Sequence, residues 1–258
     1  MMKQLLLLFT FFIGIHGFGQ QNNVYQETFE TATNGTNYFT SIPEFIVAGK
    51  DDDYFTRTDG SDVAANINNI EGSFFFGGQD IDSEGATLPV TLTTAPIDVT
   101  GMSDLDLVVL LAEDSDLPDL DWDAPDYVHF NYILDGGTPQ NLLWIESNEL
   151  LDNGNANDEA AIDTDFDGVG DGQVLTDELT EFNAAFDVSG ATTLEIQVEF
   201  KLNSGDEDIA IDNLRVVENF NLSSRSFNKP NIQIYPNPVT NGRISIDHQL
   251  IDDVNLKI

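Results

Sequence analysis

Short runs of alternating apolar and polar residues, separated by turn-forming residues, constrain this chain more than any other feature. The clearest run is Thr193–Leu202, where every second residue is apolar: Leu194, Ile196, Val198 and Phe200. Successive side chains of a β-strand point to opposite faces, so this spacing predicts a strand with one buried face. Clusters of Gly, Asn, Asp and Pro separate the runs, as turns separate strands.

The same pattern recurs along the chain and predicts an all-β fold. About nine strands are expected, at Val24–Glu30, Tyr54–Arg57, Gly72–Gly77, Pro89–Thr93, Leu105–Ala112, Tyr127–Leu134, Gln140–Glu146, Thr192–Leu202 and Asp208–Glu218. No segment of helical length has a helical period, apart from a weak turn at Asp177–Phe186. Strands without helices favour a jelly-roll-like two-sheet sandwich.

Charge and thiol content exclude several classes of function. The chain has no cysteine, and 46 acidic residues against 9 Lys and Arg give a formal net charge of −37. Without thiols the chain has no disulfide, thiolate metal site or cysteine nucleophile. So acidic a body repels phosphate backbones and anionic lipid, which argues against nucleic-acid binding. Solubility explains the acidity, and so does a set of metal-binding carboxylates.

The first 19 residues are typical of a cleavable signal peptide. Lys3 supplies a positive start, Leu5–Ile15 is uncharged, and residues 17–19 (Gly-Phe-Gly) give the small-x-small pattern that a signal peptidase cleaves. The apolar run is too short to cross a bilayer core of roughly 30 Å at about 1.5 Å per residue. We therefore expect export through the inner membrane, a mature start at Gln20 and no membrane span in the mature chain.

The C-terminal segment has a different composition from the main body. Residues 219–230 are polar and poor in acids, which predicts a linker after a single domain at residues 20–218. Beyond it, Ile232–Pro238 (IQIYPNP) predicts a strand that prolines end, and Asn241-Gly242 predicts a turn before a strand at Arg243–Ile246.

This C-terminal pattern resembles the start of the type IX (Por) secretion C-terminal sorting domain. The resemblance implies the type IX secretion machinery as a partner, and a secreted or cell-surface destination. Members of that family continue through several more strands, so residues 231–258 are expected to be a truncated sorting domain.

Carboxylates alternate along the segment Asp163–Gly172 (DTDFDGVGDG). Calcium prefers six to eight oxygen ligands, and alternate carboxylates of a curled loop converge on one point. The predicted ligands are Asp163, Asp165, Asp167, the backbone carbonyl of Val169, and Asp171. The spacing resembles the first half of an EF-hand loop or a thrombospondin type 3 repeat. Val174 stands where an EF-hand requires glutamate, so Asp177 or Glu178 is expected to complete the site; a solvated acidic turn is the alternative.

A second calcium site is predicted where the ends of the domain meet. Thr28–Glu30 lies in the predicted first strand and Ala210–Asn213 in the last. These segments resemble those of jelly-roll carbohydrate-binding and MAM-like modules, which pair their first and last strands. The resemblance implies Glu30 and Asp212 as ligands of a structural calcium ion, supplemented by residues 206–208; surface carboxylates on edge strands are the alternative.

Sugar recognition needs an exposed aromatic ring beside hydrogen-bonding groups. Trp122, in the acidic run Glu113–Asp126, is the predicted ligand-binding ring, whereas Trp144 is expected in the core. His129 is expected on a strand surface, with Tyr127 and Asn131 on the same face, and Phe74–Phe76 is expected to place at least one ring outward. The sequence has no nucleophile elbow, His-Glu-x-x-His motif or phosphate-binding glycine loop, so no catalytic residue is predicted.

These observations favour a calcium-binding β-sandwich that binds an extracellular polysaccharide or mediates adhesion. Two alternatives stay open at this stage. One is a secreted hydrolase that acts through paired carboxylates, as glycosidases do. The other is a non-catalytic accessory domain of a larger secreted enzyme.

Overall fold

The computed structural model describes residues 22–83, 85–114, 122–124, 126–148, 159–205, 207–218, 220, 233–235 and 245–247. Within these ranges every regular element is a β-strand. The predicted signal peptide (1–19), nearly all of the predicted linker (219–230) and most of the predicted sorting segment (231–258) lie outside the described residues. The described ranges hold no helix that could serve as a membrane span.

The main body is a sandwich of two antiparallel sheets, as the strand pattern predicts. Its strands are β1 (Asn22–Glu27), β2 (Tyr38–Thr40), β3 (Phe45–Val47), β4 (Lys50–Thr58), β5 (Phe75–Gln79), β6 (Val90–Thr94), β7 (Ile97–Asp98), β8 (Asp104–Ala112), β9 (Tyr127–Leu134), β10 (Gln140–Ser147), β11 (Ala160–Asp163), β12 (Thr180–Asp187), β13 (Thr193–Lys201) and β14 (Asp208–Glu218). Sheet A has the order β12-β8-β14-β5-β4-β3, with β1 also on β14. Sheet B has the order β11-β10-β9-β13-β6-β2, with β7 also on β13.

The central strand of sheet A, β14, brings the first and last strands together. Strand β8 pairs along one side of β14, whereas the other side is shared: β5 pairs with Asp208–Ile211 and β1 with Leu214–Glu218. Between these two partners the ladder with β8 is bulged after Asp212, and Asn213 takes a positive φ of 44°. The first and last strands therefore pair as expected, and the residues between β5 and β1 form a notch beside Asp212.

The core lies between the inward faces of the two sheets. Phe76 of sheet A is fully buried at its centre, with its ring centroid 5.0 Å from that of Phe55 and 6.1 Å from that of Phe200 in sheet B. The rings of Phe29 and Tyr38 complete this group, at 5.7 and 5.9 Å from Phe76. Each such ring contributes about 1.5–3 kcal/mol when it is fully buried. This aromatic group binds the two sheets together without disulfides.

The outward faces of the two sheets differ. On sheet A, a second hydrophobic cluster covers the outward face: Tyr54, Phe75, Ala112 and Ala210 pack with Val63, Ala65 and Leu179 from connecting segments. Phe75 therefore points away from the core but is still fully buried. On sheet B, the alternate residues of β13 that face outward are polar and half-buried. The face of sheet B is thus the more open of the two.

Two segments differ from the expectations drawn from the sequence. The weak helical turn expected at Asp177–Phe186 is wrong, because residues 180–187 form β12 and pair with β8 throughout its length. The first strand ends at Glu27 rather than Glu30, because Phe29 adopts a positive φ of 57° that leaves the β region. Glu30 consequently follows the first strand and does not lie within it.

The contacts of the chain divide it into two units, Met1–Phe220 and Asn221–Ile258. In the second unit, β15 (Gln233–Tyr235) pairs with β16 (Ser245–Asp247) in antiparallel fashion. The two strands overlap the two segments of the tail that the sequence predicts as strands, Ile232–Pro238 and Arg243–Ile246. The assignment of this unit to a secretion sorting domain stays a prediction.

Candidate glycan and metal sites

A row of cross-strand partners on the outward face of sheet B joins an aromatic surface to the acidic loop. The register places Glu199 opposite His129, His129 opposite Trp144, and Trp144 opposite Asp163. Directly opposed residues in antiparallel strands have their side chains on the same face, about 5 Å apart. The last residue of the row, Asp163, opens the predicted calcium loop.

Three aromatic rings form a continuous stack on this face, which we call the aromatic stack: Tyr127, His129 and Trp144. The centroids of Tyr127 and His129 lie 3.9 Å apart with planes inclined by 14°, and those of His129 and Trp144 lie 3.7 Å apart at 6°. Phe166, from the acidic loop, contacts Trp144 edge-on at 5.3 Å and 81°. Phe166 is 38 % exposed and Trp144 is half-buried, so this end of the stack is open to solvent.

Hydrogen bonds fix the orientation of the stack. The His129 ring nitrogen Nε2 lies 2.5 Å from Oε1 of Glu146, with both residues nearly buried. The indole N–H of Trp144 donates to Oδ1 of Asn131 at 3.2 Å. Buried polar contacts of this kind hold side chains in one geometry, because breaking them leaves unsatisfied groups. The rings are therefore presented as a pre-organised surface.

Polar side chains flank the stack on the neighbouring strand. Glu195, Gln197 and Glu199 all face outward from β13 and are half-buried. Lys201 lies at the end of the same row, with its ammonium 5.7 Å from the centroid of the Tyr127 ring. Hydroxyl-rich ligands need such donors and acceptors beside an aromatic ring. The face combines both, with an excess of negative charge.

The two tryptophans occupy the opposite environments to those expected. Trp122 is only 1 % exposed, its indole N–H donates to the carbonyl of Asp208 at 3.2 Å, and its own carbonyl accepts from Ser147. The prediction of Trp122 as an exposed ligand-binding ring is therefore wrong. Trp144, expected in the core, lies on the outward face because a bulge between Asn141 and Leu143 shifts the register of β10.

Sequence reasoning placed Tyr127, His129 and Asn131 on one face of a strand but did not identify them as part of a binding surface with Trp144. Tyr127, His129 and Asn131 alternate along β9 with the apolar residues Val128 and Phe130, which are buried. This alternation places all three on one face of the strand. His129 is on that face as expected, but at 8 % exposure it is enclosed by its neighbours rather than lying free on a surface.

The acidic loop brings together three of its predicted ligands. One carboxylate oxygen from each of Asp163, Asp165 and Asp167 lies within 4.8 Å of the other two. Repulsion from Asp167, with smaller contributions from burial and from other acids of the loop, raises the pKa of Asp165. Oxygens bound to one calcium ion at 2.3–2.6 Å are separated by no more than about 5 Å. The three carboxylates thus meet the spacing that a cation requires.

Asp163 organises this loop. It is 2 % exposed, its Oδ1 accepts the N–H groups of Asp165 and Phe166 at 3.1 and 2.6 Å, and its Oδ2 accepts that of Gly168 at 2.9 Å. Gly168 has a φ of 91°, which only glycine adopts at little cost, and this turn brings Asp167 back toward Asp163. The loop is therefore curled around the carboxylate of Asp163.

The other predicted members of the loop site are placed differently. Asp171 accepts hydrogen bonds from the N–H and hydroxyl groups of Thr164 at 2.9 and 2.7 Å, which lowers its pKa. Val169 is half-buried. The carboxylate of Asp177 accepts a hydrogen bond from the side-chain amide of Asn68 at 2.9 Å. Glu178 forms an isolated β-bridge with Asn68. The described contacts therefore link Asp177 and Glu178 to Asn68 rather than to the loop.

The structure brings Glu30 and Asp212 to the same notch of sheet A. Oε1 of Glu30 accepts the N–H groups of Ser73 and Phe74, at 2.8 and 3.0 Å. Asp212 is fully buried, and its Oδ2 accepts the N–H of Glu71 at 3.0 Å. Glu71 in turn accepts the side-chain amide of Asn213 at 2.6 Å. Backbone hydrogen bonds from Ser73 and Phe74, and then the guanidinium of Arg57, lower the pKa of Glu30, so the three carboxylates share this bulge with a cation.

Burial raises the pKa of Asp212 to about 7, and the carboxylates of Glu71 and Glu30 act in the same direction. A carboxylate that resists ionisation in this way gains from a bound cation, which would compensate both the burial and the repulsion. The described groups of carboxylates with oxygens within 4.8 Å of one another do not include Glu30, Glu71 and Asp212, so these three residues do not by themselves form a cation site. Whether a cation binds there stays a prediction.

This pKa predicts how the stability of the metal-free protein depends on pH. With this pKa, the folded state holds the Asp212 proton up to about pH 7, whereas the unfolded state releases it near the ordinary aspartate value of 3.8. The contribution of Asp212 to stability is therefore fully present below the unfolded value and is lost as the pH rises toward 7. Thermal unfolding in a chelator should show this fall, and Asp212→Asn should reduce it. Asp104→Asn, an exposed acid at the start of β8, is the matched control; equal slopes in both variants would contradict the prediction.

Comparisons with known proteins give only distant likenesses. No protein-family model matches the chain. No curated protein matches it. Among solved structures, a xylan-binding domain from Paenibacillus barcinonensis is 9 % identical over 76 % of this chain and 93 % of its own, with a TM-score of 0.37. A cleaved adhesin domain of Lys-gingipain from Porphyromonas gingivalis is 13 % identical over 77 % and 98 %, with a TM-score of 0.37.

A third solved structure that resembles the chain is a Stig cyclase from Fischerella sp. It is 13 % identical over 76 % of this chain and 89 % of its own, with a TM-score of 0.39. A binding domain, an adhesin domain and a cyclase thus all resemble this chain at TM-scores below 0.5. These likenesses assign no function to it.

Proposed function

We propose that this chain is a secreted or cell-surface calcium-binding β-sandwich that binds an extracellular glycan through the outward face of sheet B. The observation that carries the proposal is the aromatic stack, whose open end at Trp144 and Phe166 adjoins polar side chains of β13. The C–H faces of sugars pack on aromatic rings, while their hydroxyl groups bond to carboxylates and amides. Adhesion to a glycan-coated surface uses the same chemistry.

The charge of the face indicates which glycans it accepts. Glu195 and Glu199 of β13 face outward beside the stack. The positively charged side chain on the same face of β13 is Lys201, at the end of the strand. Carboxylate and sulfate groups of acidic polysaccharides are repelled by such a surface. The hydroxyl groups of neutral sugars can instead donate hydrogen bonds to the carboxylates of Glu195 and Glu199. We therefore expect neutral polysaccharides to bind in preference to uronic-acid polymers.

Calcium belongs to the proposal because the acidic loop adjoins the binding face. Asp163 is the strand partner of Trp144, and Phe166 lies on the loop that Asp163 organises. The donor set is made of oxygens alone, which suits a hard cation such as calcium. An ion held by Asp163, Asp165 and Asp167 would fix the loop, and with it the position of Phe166.

The destination is proposed from the sequence. The signal peptide at residues 1–19 would take the chain through the inner membrane. The resemblance of residues 231–258 to a type IX sorting domain would then make the secretion machinery its partner. Fusion of this tail, extended by the further strands of a type IX sorting domain, to a periplasmic reporter tests the second step: a reporter that stays in the periplasm of a type IX host would contradict it.

A polysaccharide panel tests the function. The mature chain is titrated, in excess calcium, with neutral, uronic-acid and sulfated polysaccharides, and binding is followed by calorimetry. We expect at least one neutral polysaccharide to bind and the acidic ones to give no heat. A correctly folded, calcium-loaded protein that binds none of the panel would contradict the proposal.

A further inference from the structure

His129, the middle ring of the aromatic stack, is the member of the stack that can change its charge near neutral pH. Histidine is the side chain whose charge ordinarily changes between about pH 5 and 8. Burial raises the pKa of Tyr127, so the Tyr127 ring stays neutral in this range. His129 lies between Tyr127 and Trp144, at centroid distances of 3.9 and 3.7 Å. Any charge on His129 is therefore one ring away from the open end of the binding face.

Glu146 determines which nitrogen of the His129 ring is open to a second proton. Within the described residues, the His129 side chain makes its hydrogen bond through Nε2, which lies 2.5 Å from Oε1 of Glu146. Because an ionised carboxylate only accepts hydrogen bonds, the neutral ring carries its proton on Nε2 and a lone pair on Nδ1. A second proton on Nδ1 leaves the contact with Glu146 intact. The ring can therefore gain a positive charge without a rearrangement of the stack.

The surroundings of His129 are mainly acidic. The charged groups that face it are Glu146 on β10, Glu199 and Lys201 on β13, and, beyond Trp144, Asp163 on β11. Lys201 lies at the end of this group, with its ammonium 5.7 Å from the centroid of the Tyr127 ring. Protonation of His129 compensates one of the negative charges at the middle of the face. Repulsion of an anionic ligand at Trp144 is then weaker.

We propose that His129, through its protonation, determines whether the binding face admits acidic sugars, an inference that rests on the glycan-binding function proposed above. While the ring is neutral, Glu146 and Glu199 give the face a negative charge that repels carboxylates. Once protonated, the ring attracts the carboxylate of a uronic acid that packs on Trp144. Neutral sugars carry no charge and bind alike in both states. The preference for neutral polysaccharides thus holds at about pH 7.5 and is relaxed at about pH 5.5.

Calorimetry at these two pH values tests the proposal with two probes. They are an oligosaccharide of the neutral polysaccharide that binds, and a galacturonic-acid trisaccharide, whose carboxylates stay ionised above about pH 5. Opposite charges about 7 Å apart at a protein surface change an affinity about fivefold at low ionic strength. We expect acidification to strengthen binding of the acidic trisaccharide by at least this factor. Binding of the neutral oligosaccharide should change by less than about twofold.

The matched control is the double variant His129→Phe, Glu146→Gln. It keeps an aromatic ring between Tyr127 and Trp144, and it leaves no buried charge without its partner. Whatever its absolute affinity, the ratio between the two pH values should stay within about twofold for the acidic trisaccharide. An equal rise in both proteins would overturn the proposal, because other acids of the face would then be its cause.

The two probes also separate this proposal from the function on which it rests. A chain that binds the neutral oligosaccharide, but gains no affinity for the acidic trisaccharide on acidification, overturns the proposal about His129 alone. A folded, calcium-loaded chain that binds neither probe at either pH overturns the glycan-binding function as well.

Nuclear magnetic resonance of the histidine rings gives a second readout in the unaltered chain. The chain has 3 histidines, of which His16 lies in the predicted signal peptide, so His129 and His248 remain in the expected mature chain. Binding and protonation are linked reciprocally, so a trisaccharide that prefers the protonated form about fivefold must favour protonation of His129 by the same factor. His248 is the internal reference. An unmoved titration of His129 at saturating trisaccharide would overturn the proposal even if the double variant fails to fold.

Discussion

Replacing Trp144 by alanine should weaken glycan binding by about 30-fold, or about 2 kcal/mol, the effect expected of a tryptophan at the centre of a binding surface. The substitution removes the open end of the aromatic stack and the partner of Phe166. Its effect on folding should be smaller, because Trp144 is half-buried on an outward face. Calorimetry with the polysaccharide found in the panel measures the affinity, and thermal unfolding measures the stability.

Phe39→Ala is the matched control for this experiment. Phe39 is 47 % exposed on β2 of the same sheet, three strands from β9 in the order β9-β13-β6-β2. Adjacent strands lie about 4.8 Å apart, so three such spacings separate Phe39 from β9 and the aromatic stack. Its removal should change the affinity by less than about twofold. Equal losses of affinity in the two variants would contradict a site centred on Trp144.

Calcium should stabilise the folded chain, and Asp163→Asn should remove the part of this effect that comes from the acidic loop. An ion that binds only the folded state adds about 2.7 kcal/mol at a concentration 100 times its dissociation constant. Asparagine keeps one side-chain oxygen but removes the charge of the most buried carboxylate of the loop. The difference in unfolding temperature with and without calcium, in both proteins, gives the effect.

The control for the calcium experiment separates specific binding from general screening of charge. Calcium also reduces the self-repulsion of a chain with a formal net charge of −37. Asp104→Asn removes one exposed acid from sheet A and should keep the full calcium effect. Magnesium at equal concentration should stabilise less, because a flexible loop suits calcium better. The same calcium effect in Asp163→Asn and in Asp104→Asn would contradict the loop site.

The longer strands were predictable because their own residues alternate. The strand predicted at Tyr127–Leu134 has the observed bounds of β9, and Asp208–Glu218 has those of β14. Strands β2, β3 and β7 have only two or three residues, too few for a period to be recognised. In β12, apolar residues four apart, Phe182 and Phe186, imitate a helical spacing. Pairing with β8, which is remote in sequence, decides the outcome.

The candidate glycan site was less predictable, because it depends on register. Trp122 stands among acids, which suggests exposure, but its indole finds a partner 86 residues away at the carbonyl of Asp208. Trp144 follows two leucines, which suggests burial, but the bulge in β10 turns it outward. Neither the bulge nor a distant acceptor leaves a mark in the local sequence.

The metal sites were less predictable from the sequence than the longer strands but more predictable than the candidate glycan site. The spacing of Asp163, Asp165 and Asp167 within five residues was enough to predict that their carboxylates converge. A further group of carboxylates, Asp123, Asp126 and Glu207, also lies within 4.8 Å and joins residues as far as 81 positions apart, from Asp126 to Glu207. Its members belong to different sheets, so only the folded chain brings them together. Local spacing identifies loop sites, whereas sites between sheets require the topology.

A crystal structure grown in calcium with an oligosaccharide of the polysaccharide that binds would test the central claim most directly. We predict that the sugar contacts Trp144 and Phe166 on the outward face of sheet B, with a calcium ion held by Asp163, Asp165 and Asp167 beside it. A sugar bound elsewhere on the sandwich, with this face free of crystal contacts and empty, would contradict the account.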